Sequence, residues 1–136
     1  MTIFVDSSFL IALFHKTDEF HSKAYEINEK IKGNKALRLL SSNIVLAEAV
    51  NFVFRVRGPK FAKKFLNLIQ KTGLEIVFVP QETFESAYNL LFKQKSKRGL
   101  NLFDCLHLAT MKFLGINAIL SFDRAFKKEV KVIGVD

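Results

Sequence analysis

Asn101-Leu-Phe-Asp-Cys-Leu-His-Leu-Ala-Thr-Met-Lys-Phe-Leu-Gly115, with Ala118-Ile-Leu-Ser-Phe-Asp-Arg-Ala-Phe126 close behind it, is the stretch that decides the fold. Asn101 is a natural helix N-cap, and Gly115 is a natural terminator. The residues between them read as one helix. Ala118–Phe122 reads as a short buried strand, and Asp123 opens a polar corner. Two aspartates frame this helix–turn–strand unit. Asp104 falls in the first helical turn and Asp123 just past the strand. Neither place needs a carboxylate for packing.

Working outward, the rest of the chain repeats the alternation. Thr2–Val5 is an apolar strand ended by Asp6-Ser7-Ser8, and Phe9–His15 has room for one or two buried helical turns. Thr17 is the expected N-cap of an amphipathic helix carrying Phe20, Ala24, Ile27 and Ile31. Ala36–Leu40 is a second strand, and Ser41-Ser42-Asn43 caps a long helix, Ile44–Arg57, that is apolar nearly all round. Such a helix is buried throughout, or buried on one side and docked on the other. Gly58-Pro59 breaks the chain before a helix over Phe61–Lys71. Leu74–Val79 is a third strand, Glu82–Lys95 a helix, and Lys131–Val135 a closing strand. Strands separated by helices must pair in parallel through crossovers. The expected class is α/β: a three-layer α/β/α sandwich on a mostly parallel sheet of about five strands, one domain over residues 1–136.

The composition is 49% hydrophobic, which excludes a disordered or linker protein. Cys105 is the only cysteine, so an internal disulfide is excluded, and a small buried thiol is the simpler reading than a nucleophile. The first residues lack the basic and apolar regions of a signal peptide, and Ile44–Val56 is interrupted by Glu48 and Asn51. A cytoplasmic protein with no membrane segment is expected. Lys and Arg number 21 against 13 Asp and Glu, a net charge of +8 that suits a polyanionic partner. Basic residues gather at Arg55–Lys64 and again at Lys93–Arg98.

In a parallel sheet, strand ends and following helix starts share one edge, where ligands bind. Asp6, Glu48, Asp104 and Asp123 all fall there. Three have local explanations: Asp6 as a turn residue, Asp104 as the far member of a capping box with Asn101, Asp123 as a cap of the next turn. Glu48 has none. It sits among Leu46, Ala47, Ala49 and Val50, with no basic residue within a turn, and a buried carboxylate needs a cation or a donor. His107 reads as a hydrogen-bonded helix residue rather than a ligand. Clustered carboxylates repel unless a cation neutralises them, and oxygen-only donors suit Mg²⁺ or Mn²⁺. Such an ion in a basic protein points to phosphodiester hydrolysis.

The four segments resemble the motifs of the PIN domain, the ribonuclease fold of VapC-type toxins. Ile3-Phe-Val-Asp6-Ser-Ser8 is similar to the first motif and Ser42-Asn-Ile-Val-Leu-Ala-Glu48 to the second. Asp104-Cys-Leu-His-Leu-Ala is similar to the third and Ile119-Leu-Ser121-Phe-Asp123-Arg-Ala-Phe126 to the fourth. Ser121 stands where the family more often has threonine. The resemblance spans the chain and implies an all-parallel sheet of order 3-2-1-4-5. It implies a metal-dependent endoribonuclease with Asp6, Glu48, Asp104 and Asp123 as the acidic site. Of these, Asp6, Asp104 and Asp123 would be direct ligands of Mg²⁺ or Mn²⁺, with Ser8 and Ser121 as polar support. RNA would lie along Arg55, Arg57, Lys97 and Arg98. An antitoxin partner and a homodimer through Ile44–Val56 are further implications. The alternative is a nucleic-acid-binding module of this fold without turnover. A phosphoacceptor domain fits poorly, because Asp6 has no second acid beside it.

Overall fold

The computed structural model describes residues 1–136. The elements run β1 (Thr2–Val5), α1 (Ser7–Phe14), α2 (His21–Ile31), β2 (Arg38–Ser42), α3 (Asn43–Arg57), α4 (Pro59–Lys71) and β3 (Glu75–Val77). Then come α5 (Gln81–Lys93), α6 (Leu102–Leu114), β4 (Ala118–Leu120), a 3₁₀ turn (Arg124–Lys128) and β5 (Lys131–Ile133). The strands form one sheet of order β3-β2-β1-β4-β5, and every pair is parallel. The expected class and strand order both hold.

Burial explains that order. In β1, Ile3, Phe4 and Val5 are consecutive and all buried, as a central strand covered on both faces requires. Ala118, Ile119 and Leu120 of β4 are buried likewise. The outer strands β3 and β5 are exposed in part and span three residues each, shorter than the apolar runs around them suggest. Chain order reverses between β1 and β4. The crevice at their carboxyl ends is therefore the topological switch point, where open α/β sheets bind ligands.

One helix assignment needs correction, and one choice between alternatives is settled. Thr17 caps nothing: its hydroxyl meets His15 Nε2 at 3.0 Å. The side chain of Asp18 instead accepts from the Phe20 amide at 2.9 Å, and α2 begins only at His21. The long helix α3 is not buried throughout. Val45, Ala49 and Val53 face the core, while Phe52, Phe54 and Val56 are exposed. Ser42 caps α3 by accepting from Val45 N.

Candidate active site at the carboxyl edge of the sheet

Asp6 leaves β1 at the switch point, and its amide extends the pairing with β4 by donating to the Leu120 carbonyl (3.1 Å). Its carboxylate is buried. One oxygen, Oδ2, accepts from Ser8 Oγ at 2.9 Å and from Ser121 Oγ at 2.7 Å. Each hydroxyl has a single proton, so both are committed to Asp6. Each hydroxyl oxygen in turn accepts a backbone amide at 3.0 Å, Phe122 N on Ser8 and Asp123 N on Ser121. The supporting role expected of Ser8 and Ser121 thus has a definite geometry. They saturate Oδ2 and leave Oδ1 without a hydrogen bond. Gly134 fixes Ser121 from the other side: its φ is +125°, and a Cβ there would overlap the Ser121 carbonyl oxygen.

Glu48 lies in the second turn of α3 and meets His107 of α6, with Oε1 and Nε2 3.2 Å apart. His107 is fully buried. A carboxylate only accepts, so Nε2 carries the proton and donates. His107 Nδ1 is buried without a partner. Burial acts to raise the Glu48 pKa, but the hydrogen bond and charge of His107, aided by the Ser7 hydroxyl, outweigh it and hold the carboxyl below its ordinary value. Sequence reading did not include His107 in the site. Its signal was present: His107 stands three residues after Asp104, on the same face of one helix.

Asp104 does two jobs. It completes the capping box, with its Oδ2 accepting from Asn101 N (3.0 Å) and its amide donating to Asn101 Oδ1 (2.9 Å). It also faces the other acids. Burial first pushes its pKa up, the Asn101 amide opposes this, and repulsion from Asp123 and Asp6 adds to the rise against attraction from His107. The result is about 6, against an ordinary 3.8. Asp123 is exposed and caps the 3₁₀ turn, accepting from Ala125 N at 2.9 Å.

None of these four acids forms an ion pair with lysine or arginine. Donor atoms of Asp6, Glu48 and His107 lie within 4.8 Å of one another, while Asp104 and Asp123 stand outside that trio. With its proton on Nε2, His107 offers no lone pair there. The donors free to face a cation are carboxylate oxygens, and no lysine or arginine relieves the repulsion among them. That donor set fits a hard divalent ion.

The basic residues separate. Lys97 and Arg98 are exposed in the loop before α6, close in sequence to Asp104. Arg55 and Arg57 lie in the last turn of α3. Arg57 is nine residues beyond Glu48, about 13 Å along the helix. Its guanidinium sits 4.4 Å from the Phe61 ring centroid and 3.3 Å from His15 Nε2. Arg57 is thus turned toward Phe61 and His15. Two surface grooves lie elsewhere, one lined by Thr83, Leu90, Met111 and Ile116 and another by Phe14, Arg57, Phe61 and Phe65.

The PIN domain family model matches residues 3–131. The chain belongs to the PIN domain family. No curated protein matches it. Among solved structures, it is similar to the Mycobacterium tuberculosis VapC20 toxin, described as cleaving the sarcin–ricin loop. Identity is 25% and the TM-score 0.78, over 94% of this chain and 95% of that one. It is also similar in fold to VapBC2 of Rickettsia felis bound to a promoter DNA fragment, at 16% identity and TM-score 0.76 over the whole of both chains. A Klebsiella pneumoniae toxin–antitoxin complex matches at 18% identity and TM-score 0.65, over 96% and 95% of the two chains. No helix of this PIN domain is long and apolar enough to cross a membrane.

Proposed function

We propose that this PIN domain is a metal-dependent endoribonuclease that hydrolyses RNA phosphodiester bonds as the toxin of a toxin–antitoxin pair. The observation that carries this reading is the half-saturated Asp6. Two serine hydroxyls hold Oδ2, and Oδ1, 4.0 Å from His107 Nε2, is left to face acids with no lysine or arginine partner. Asp6, Asp104 and Asp123 would hold Mg²⁺ or Mn²⁺. Such an ion supplies acidified water and neutralises charge on the scissile phosphate. Glu48, kept ionised by His107, is the group placed to accept a proton from the attacking water. Lys97 and Arg98 attract the phosphodiester chain.

A cytoplasmic location accords with the absence of a membrane-crossing helix. The VapBC complexes among the structural relatives support an antitoxin partner. The exposed Phe52, Phe54 and Val56 of α3 are the surface we assign to a homodimer.

The test is cleavage of a structured RNA with Mn²⁺, with and without chelator. Asp6→Asn should lower the rate by about 10³-fold or more, the equivalent of several kcal/mol of transition-state stabilisation. Cleavage at the wild-type rate in Asp6→Asn, or undiminished in chelator, would refute the assignment. Binding without cleavage under every divalent metal tried would make the chain a binding module.

A further inference from the structure

The loop between α5 and α6 is tied into a fixed shape. Gln94, just past α5, turns its side-chain amide onto the backbone of Leu100. Nε2 donates to the Leu100 carbonyl at 2.7 Å, and Oε1 accepts from the Leu100 amide at 2.7 Å. This pair closes a ring around Lys95–Gly99. Gly99 lies against the amide, and a Cβ there would overlap Gln94 Oε1. A side chain at 99 would therefore push the Gln94 amide off the Leu100 backbone. Within the ring, Arg98 N donates to Ser96 Oγ at 3.1 Å. Leu100 is buried and anchors the ring in the core. The next residue, Asn101, caps α6 and shares its capping box with Asp104. Lys95, Lys97 and Arg98 are therefore carried on a fixed loop beside the acid edge, and none is ion-paired.

An aromatic face adjoins this loop. Tyr88 and Phe92 of α5 stack with centroids 6.3 Å apart and planes 13° apart. Phe92 is 77% exposed and is followed by Lys93. Exposed rings flanked by unpaired cations suit single-stranded nucleic acid, because bases stack on rings and phosphates meet the cations. Charge complementarity selects this occupant. An apolar protein surface would leave Lys93, Lys95, Lys97 and Arg98 without counter-charge, whereas an RNA strand brings one negative charge per nucleotide.

We propose that Phe92 and the Lys95–Arg98 loop form an RNA subsite beside the acid edge, with Gln94 and Gly99 as its positioning residues. An unpaired base lies on the Phe92 ring, and the loop cations hold the adjoining phosphates. The subsite rests on the nuclease reading for what becomes of the strand, but its binding is measured without turnover.

The probe is a fluorescein-labelled oligouridylate, titrated with the full chain in chelator over a range of salt and followed by anisotropy. Phe92→Ala should weaken binding about tenfold. The double variant Lys97→Ala/Arg98→Ala should reduce the slope of log affinity against log salt by roughly 1.4. Gln94→Ala and Gly99→Ala alter no charge, yet each should weaken binding by about threefold or more and reduce that slope. In the Gln94→Ala background, Gly99→Ala should add nothing, since the atom it would overlap is gone. Wild-type affinity and slope in both Phe92→Ala and Gln94→Ala, with melting temperatures unchanged, would overturn the subsite. Conversion of a dimer to a monomer by Phe92→Ala, with RNA binding intact, would also overturn it and make the face a contact between copies. Failure of the nuclease reading looks different: the loop variants lose binding as described, but Mn²⁺ yields no cleavage.

Discussion

Asp6 and Asp104 share one sheet edge and are held in opposite ways. Asp6 is fixed by neutral hydroxyls that are themselves fixed by backbone amides from the far side of the switch point. Beside it, Glu48 is matched by an imidazole. This inner half is held in place by the protein alone, with Asp6 Oδ1 left free. Asp104 has only its own capping box, and its neighbours Asp123 and Asp6 repel it. On balance the outer half holds its proton more tightly than a free carboxyl. The inner half sets geometry, and the outer half carries the net repulsion.

The largest effect on stability is expected from the inner half. His107→Ala removes the donor of Glu48 and empties a fully buried site. A half-buried charge without its partner and a new cavity together should cost about 3 kcal/mol. Urea unfolding in chelator measures this directly. A loss below about 0.5 kcal/mol would mean that Glu48 is solvated, and the division into two halves would fail.

Ser121→Ala should cost less, about 1–1.5 kcal/mol, because Asp6 keeps the Ser8 hydroxyl and the exposed Asp123 amide can turn to water. The same variant frees Asp6 to rotate. Cleavage should therefore fall by more than thermal stability suggests, roughly tenfold, since pre-organised charge is what accelerates the reaction. Rate assays on the folded variant decide it: an unchanged rate would show that Ser121 only packs.

The edge itself was legible because alternating strands and helices force parallel pairing, and parallel pairing puts Asp6, Glu48, Asp104 and Asp123 at one edge of the sheet. The dual use of Asp104 as cap and site residue was also visible, since Asn101-x-x-Asp104 is a local pattern. The partner of Glu48 was not, because the contact spans 59 residues and depends on how α3 and α6 cross. The Gln94 clamp was hidden for a related reason: nothing in Gln94 or Gly99 alone shows that a side-chain amide will replace a backbone pair. Arg57 misled through its company. It clusters with Arg55 and Lys60 in sequence, but the helical rise carries it away from the acids toward Phe61 and His15. Thr17 lost its expected capping role to Asp18, which reaches the Phe20 amide.

The smallest effect concerns the outer half and has the opposite sign. The folded pKa of Asp104, about 6, lies above its ordinary 3.8, so the folded state holds the proton more tightly. Stability from this group is present at low pH and is lost as pH rises from about 4 through about 6. Asp104→Asn cannot titrate, and its amide oxygen can still accept from Asn101 N. In chelator it should match or fall slightly below the wild type near pH 4. Above pH 6 it should be more stable, on the order of 1 kcal/mol once partial solvent access is discounted. Adding Mg²⁺ or Mn²⁺ should raise the melting temperature of the wild type more than that of Asp104→Asn, because bound metal stabilises the folded state by mass action. A variant less stable than the wild type at every pH would show that capping outweighs repulsion at this position. The outer half would then hold no unmet charge, and the contrast with Asp6 would disappear.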